Sequence, residues 1–170
     1  MKKHNIHKWC HRPLFSIPGL KKVKNNNIRK CFRFTDSCRY ILDKGDQFDW
    51  NKLVGFILGI FGIHKNSFRF VWRYNPDIDK IEIAAYWYID GVRNWKHICN
   101  LNFNENYIFD IKIMEGCVVF KVLEDGYIRI AYHEEPMWDM TEDNKYMCGI
   151  YFGGNRRAPH KITIGEFDIH

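Results

Sequence analysis

The segment "KIEIAAYWYIDGVRNWKHICNLNF", residues 80–103, decides the fold class. Apolar side chains recur at every second position over residues 81–89, which is the period of a strand with one buried face. The Asp-Gly pair at positions 90 and 91 supplies the positive φ angles of a tight hairpin turn, after which the chain returns. The segment therefore predicts an antiparallel β-hairpin with Trp87 in the core.

The same period of two extends outward from this hairpin along most of the chain. "SFRFVWRY", residues 67–74, puts Trp72 among the aromatic residues of one face and leaves Arg69 and Arg73 on the other. Further Gly-containing turns at residues 115–116 and 125–126 separate more short strands. Because no helical stripe interrupts the pattern, the sequence predicts an all-β, antiparallel two-sheet β-sandwich.

Charge divides the chain into two parts. The first 34 residues hold ten of the 26 basic residues and no acid, whereas all 20 acidic residues follow. Residues 1–27 also lack apolar periodicity, so we expect a basic, poorly ordered arm there and a sandwich domain over residues 28–170. Such an arm is a candidate contact for nucleic acid or an acidic partner.

Two features bear on the compartment. The longest apolar run, residues 53–63, has three glycines and is too short to cross a bilayer, and no secretory signal pattern is visible at the start. Of the six cysteines, Cys117 and Cys148 lie in apolar strand-like runs, as reduced, buried thiols do. These observations favour a cytoplasmic protein as synthesised, with the virion as a further possibility.

Three phrases carry a resemblance to a known superfamily: "HKNSFRFVWRYN" (64–75), "IEIAAYWYIDGVR" (81–93) and "CGIYFGGNRRAPHKITI" (148–164). With the strand pattern over residues 50–170, they resemble the concanavalin A-like lectin and glucanase jelly rolls. Within that superfamily the phrases are most similar to uncharacterised proteins of Bacteroides-type bacteria and their phages. The resemblance implies two stacked, curved sheets, the concave one often binding glycans. In the last phrase, the glycines and Pro159 are interpreted as structural, and Arg156 and Arg157 as exposed loop charges.

Glycan binding without chemistry is the leading functional hypothesis. It needs flat aromatic rings that stack on sugar faces and polar groups that fix orientation. The predicted binding residues are Arg69, Arg73, Tyr86, Tyr88, Trp95, His97 and Trp138.

The main alternative is a virion or assembly component that uses the sandwich for protein contacts, including self-assembly. An enzyme ranks third. Polysaccharide lyases of this fold are expected to neutralise a uronate and abstract its α proton with Arg, Gln, His and Tyr, but the Lys and Gln of the lyases' "YFKAGNYNQ"-like phrase are absent from "YFGGN".

Glycoside hydrolysis requires two carboxyl groups on one cleft wall, about 5 Å apart in retaining enzymes. Asp77, Asp79 and Glu82 match the glucanase spacing only if an Asp replaces the first Glu, and they follow an Asn75-Pro76 turn signal. We interpret the two aspartates as solvated turn residues and predict no catalytic residue.

Metal and cofactor signals are weak. "HNIHKWCH" offers four zinc donors, His4, His7, Cys10 and His11, without the second half of a zinc finger. An acidic loop offers calcium-type oxygens without a known spacing, at Glu134, Asp139, Glu142 and Asp143. The prediction is therefore no metal and no cofactor.

Overall fold

A computed structural model describes residues 1–13, 21–43, 45–59, 62–124, 127–134 and 144–169. Within these residues, twelve strands form two six-stranded sheets in which every neighbouring pair is antiparallel. The first sheet, in spatial order, contains β1 (Lys2–Ile6), β12 (Ile162–Phe167), β3 (Asn27–Phe34), β8 (Tyr107–Met114), β9 (Cys117–Glu124) and β10 (Tyr127–Glu134). The second contains β2 (Lys21–Val23), β11 (Lys145–Cys148), β4 (Asn51–Leu58), β5 (Ser67–Asn75), β6 (Lys80–Ile89) and β7 (Val92–Leu101).

The core between the sheets follows the alternation seen in the sequence. Trp72 is fully buried and Trp87 nearly so, as predicted. Phe70 of the second sheet meets Phe109 and Phe120 of the first, with ring centroids 5.1 and 5.3 Å apart in edge-on geometry. The predicted all-β, antiparallel sandwich is confirmed.

The turns also match the sequence. Asp90 and Gly91 have φ angles of 49° and 83°, which closes the β6–β7 hairpin as predicted. The β5–β6 connection falls between Asn75 and Lys80. Asp79 lies in this connection, as expected.

A bulge in β4 sets which side chains leave the core. The register with β5 shifts between Lys52 and Val54, so Leu53 and Val54 are both buried while Lys52 lies on the outer face. Just beyond the bulge, a Cβ on Gly55 would come within 2.1 Å of the backbone oxygen of Phe68. Glycine is therefore required for the close approach of β4 and β5 beside the outer face.

The described part of residues 1–27 differs from the predicted arm, since it supplies an outer strand to each sheet. β1 pairs with β12, Ile6 is fully buried, and β2 pairs with β11. Backbone pairing of short strands leaves little side-chain pattern, which is why the alternation did not reveal them. The boundary at residue 28 stays a prediction.

Several basic residues of the first 34 have partners within the chain. Lys30 donates to Glu166 at 2.6 Å, and the opposite oxygen of that carboxylate lies 2.7 Å from Nε2 of His4. These contacts, with burial acting in the opposite sense, lower the pKa of Glu166 to about 2. Lys22 donates to Asn144. These side chains tie the first strands to the sandwich.

None of the six cysteines takes part in a disulfide bond. Cys117 and Cys148 are half-buried, less enclosed than the sequence suggested, although burial raises the pKa of the Cys148 thiol. Among the described residues, no helix has the length and apolar character needed to span a membrane.

Candidate functional site

The outer face of the second sheet carries the polar and aromatic side chains that the sequence put opposite the core. Across this face the strand register places Arg69 of β5 next to Tyr86 of β6, and Tyr86 next to Trp95 of β7. Beside this row Val71 and Ala84 are small and fully buried, and they pack with Trp50 and Tyr86. Next to this cluster, larger side chains surround a depression.

That depression is a cleft of about 250 Å³. Trp50 and Trp95 line one part of it, with ring centroids 5.3 Å apart at an interplanar angle of 58°. Trp95 is half exposed, whereas Trp50 is 92% buried. The cleft thus presents one accessible aromatic ring supported by a second, fixed one.

Arg73 is held in place beneath these rings. Its Nε donates to Glu82 at 2.5 Å, and its Nη1 donates to the backbone oxygen of Phe48 at 2.8 Å. The guanidinium carbon lies 4.1 Å from the centroid of Trp50. Although burial acts to raise the pKa of Glu82, hydrogen bonds from Asn75 and Arg73 lower it, so the carboxylate stays ionised and Arg73 is neutralised.

Three other cationic side chains have no carboxylate partner within the described residues. Within the described residues, no carboxylate lies within ion-pair distance of Lys52, Arg69 or Arg93. Burial, followed by repulsion from Arg69, lowers the pKa of Lys52 to about 8; Arg93 adds to this shift, and Asp49 opposes it. Positive charge therefore exceeds negative charge around Lys52 on this face.

Arg69 is the most buried of these cations, with 2% of its surface exposed. Its Nη2 donates to the backbone oxygen of Ile63 at 3.3 Å, and its Nε has no hydrogen-bond partner among the described residues. The guanidinium carbon lies 5.2 and 5.7 Å from the rings of Tyr86 and Tyr88. Because the unbonded Nε atom is itself enclosed, Arg69 contributes positive charge to this face and not an accessible donor.

The hydroxyls of Tyr86 and Tyr88 lie 3.4 Å apart. Burial, with a contribution from Tyr88, raises the pKa of Tyr86 to about 12, so its hydroxyl stays protonated at neutral pH. Burial and the nearby Arg69 and Lys52 lower the pKa of His64, whose ring packs edge-on to Tyr88.

The "YFGGN" loop forms one wall of the cleft. Gly153 has φ of 82°, and its N–H donates to Oδ1 of Asn51 at 2.5 Å. Gly154 lines the cleft beside Asp49, close enough that a Cβ there would lie 2.6 Å from a carboxylate oxygen. The structural interpretation of this motif fits the geometry.

The charged residues that follow the glycines also have structural contacts. Arg156 donates to Asp46 at 2.7 Å, which joins the loop to the segment that precedes β4. His160 donates from Nε2 to the backbone oxygen of Ser37 at 2.9 Å.

The structure separates the predicted binding residues into three groups. Arg73, Tyr86 and Trp95 line the cleft, while Arg69 and Tyr88 lie beside it on the same face. His97 is on this face but exposed, and it contacts Asn100 instead of the cleft. Trp138 lies outside the described residues. Sequence reasoning missed six lining residues: Phe48, Asp49, Trp50, Lys52, Arg93 and Gly154.

The carboxylates considered as candidates for glycoside hydrolysis do not converge on one site. Asp79 accepts from Arg39 at 2.7 Å and lies in the β5–β6 turn, whereas Glu82 is buried against Arg73. Among the described residues, no three His, Cys, Asp or Glu side chains converge as metal ligands. His4 and His11 of the proposed donor set contact Glu166 and the backbone oxygen of Phe152 instead.

Comparison with known proteins supports the fold. An alginate lyase, AlyC3, aligns with TM-score 0.57 and 12% identity over 85% of this chain and 66% of its own. The alginate lyase from Klebsiella pneumoniae gives 0.56 and 8% over 84% of this chain and 57% of its own. The chain therefore spans less than two thirds of either enzyme. The fold is that of these jelly-roll sandwiches.

Comparison of sequences does not assign the chain to a family. No protein-family model matches the chain, and no curated protein matches it. A structural match to the enzymatically active domain of bacteriophage CBA120 tailspike protein 2 has TM-score 0.47 and 11% identity, over 89% of this chain and 23% of the other.

Proposed function

We propose that the protein binds an anionic glycan, of the uronate-containing class, in the cleft on the outer face of its second sheet. The observation that carries this proposal is the group of Lys52, Arg69 and Arg93, which lacks carboxylate partners within the described residues and surrounds aromatic rings. This refines the glycan-binding hypothesis by giving the ligand a charge.

The charge of the ligand follows from the electrostatics of the face. Burial, and after it repulsion from Arg69, lowers the pKa of Lys52, and a ligand carboxylate beside the lysine offsets the repulsion. A neutral sugar does not offset this repulsion, so binding discriminates by charge.

The rings supply the other half of recognition. Trp95 exposes half of its surface at the cleft, and Trp50 and Arg73 hold its surroundings fixed. Flat rings of this kind stack on the apolar faces of sugars, while cations fix the orientation of carboxylates. The fold shared with two alginate lyases makes alginate, a uronate polymer, the first probe.

Binding of sodium alginate is expected to weaken as the pH rises through about 8, because Lys52 then loses its charge. Uronate carboxylates are ionised throughout this range, so only the protein titrates. If the bound ligand raises the pKa of Lys52 by about one unit, the affinity falls about tenfold between pH 7 and 10. Isothermal titration calorimetry at a series of pH values measures this.

The Lys52→Met variant keeps the apolar stem and removes the titrating group, so it should bind more weakly at pH 7 and show no decline near pH 8. Lys112→Met is the matched control, since Lys112 is exposed on the first sheet. An identical pH profile in wild type and Lys52→Met, or equal affinity for a neutral glucan, refutes the proposal. The assembly role suggested by the sequence stays a prediction.

A second candidate function is eliminative cleavage of the same polymer, and the lowered pKa of Lys52 favours it. A neutral Lys52 amine accepts the proton α to the uronate carboxylate, the C4–O bond breaks, and a C4–C5 double bond forms. Tyr86, whose raised pKa keeps it protonated, lies with its ring centroid 5.3 Å from Nζ of Lys52 and serves as proton donor to the leaving oxygen. Ultraviolet absorbance from the new double bond separates cleavage from binding alone.

A further inference from the structure

A second groove, of about 600 Å³, lies next to the cleft along the same two chain segments. Residues 48–50 and Gly154 line the cleft, whereas residues 41–43 and 155–157 line the groove. The contact between Arg156 and Asp46 joins these segments. Gly154 lines the cleft and its neighbour Asn155 lines the groove, and consecutive Cα atoms are only about 3.8 Å apart, so the two depressions are adjacent at this point.

Trp9 stands at the wall of this groove with an unusual backbone. Its φ is 65°, and 65% of its surface is exposed. A non-glycine residue in the left-handed region is unfavourable and persists only where the surroundings impose it. Exposing a large aromatic ring at such a position gains nothing for folding.

Backbone hydrogen bonds impose that conformation. The backbone N–H of Trp9 donates to the backbone oxygen of Ala158 at 2.9 Å, and the backbone N–H of Ala158 donates to the backbone oxygen of Cys10 at 3.1 Å. The backbone N–H of Phe152 donates to the backbone oxygen of His11 at 2.7 Å. The backbone of Trp9 is therefore fixed beside the loop that forms the cleft wall, and its ring remains exposed.

Cations accompany the ring. Nζ of Lys8 lies 5.2 Å from the centroid of the Trp9 ring. Arg157 also lines the groove, and no ion pair is recorded for it within the described residues. The groove thus repeats the combination found in the cleft, an accessible tryptophan with basic side chains.

From this we infer that the groove is a second sugar subsite and that the ligand is a polymer, which runs from the cleft over Gly154 to stack on Trp9. The uronate at this position faces Lys8 and Arg157. The inference rests on the proposed function and goes beyond it, because it distinguishes a long chain from a short oligosaccharide. Two linked contacts on one chain raise its affinity over that of a fragment that reaches the cleft alone.

The test compares the full chain with Trp9→Gly, using sodium alginate and an alginate disaccharide in titration calorimetry. Glycine accepts the positive φ of residue 9, so the variant should unfold at no lower a temperature than wild type. We expect its affinity for the polymer to fall about tenfold, with no change for the disaccharide. Trp9→Phe, which keeps a ring, should retain most of the polymer affinity.

Met114→Ala is the control, because Met114 is an exposed apolar side chain at the end of β8 in the other sheet, and it should alter neither affinity. If Trp9→Gly binds the polymer as wild type does, or loses affinity for both ligands equally, the second subsite is refuted. The proposed binding in the cleft is then unaffected. If wild type binds neither ligand, the proposed function fails and the subsite with it.

Discussion

The Gly153→Ala variant is expected to lose about 3 kcal/mol or more of its free energy of unfolding. Two penalties combine at this residue. Its φ of 82° disfavours any side chain, and a Cβ would lie 1.9 Å from the backbone oxygen of Arg156. Relief requires the loop to move, which breaks the N–H bond to Asn51 and displaces the cleft wall. Urea unfolding measures the loss, and alginate binding should weaken in parallel.

Gly149→Ala is the matched control, because a Cβ there meets nothing within 4 Å. Its free energy of unfolding should stay within about 0.5 kcal/mol of wild type. Equal urea-unfolding midpoints for Gly153→Ala and wild type would contradict the role assigned to this turn.

The Glu82→Ala variant is expected to lose about 3 kcal/mol, because it leaves Arg73 largely buried without its carboxylate. The side chains of Arg73 and Glu82 are 18% and 11% exposed. The amide of Asn75, which donates to Glu82 at 2.7 Å, also loses its acceptor. Thermal and urea unfolding both report this loss.

A double variant separates charge from packing. Glu82→Leu combined with Arg73→Met removes both charges, so it should be more stable than Glu82→Ala while binding alginate poorly. If Glu82→Ala unfolds like wild type, the ion pair does not hold the cleft together. Loss of a cleavage activity in a Glu82→Gln variant that still folds would instead make Glu82 a catalytic candidate.

The sequence predicts the central part of the fold because period-two alternation is strongest there. The β5 and β6 runs each bury one face against the core, and the Asp90-Gly91 turn fixes their continuation into β7. β1 and β2 escaped prediction since they are held mainly by backbone pairing at the sheet edges. A single buried residue, Ile6, is too little pattern to indicate a strand.

The candidate site was predicted only in part for a related reason. Arg73, Tyr86 and Trp95 lie on regular strands, where alternation indicates the face. Trp50 precedes β4, and the bulge after Lys52 changes which residues face outward, so local periodicity could not place either side chain. "FDWNK" was the available signal, since it sets two aromatic rings just before β4 and a lysine at the second residue of that strand.

The location of the ligand is the central claim, and one titration tests it most directly. In a ¹⁵N-labelled sample, the indole N–H signals of Trp50 and Trp95 report on the cleft, that of Trp9 on the groove, and those of Trp72 and Trp87 on the core. Added alginate disaccharide should shift the signals of Trp50 and Trp95, which line the cleft, and leave Trp72, fully buried in the core, unmoved. Saturating ligand that leaves Trp50 and Trp95 unchanged would contradict the account.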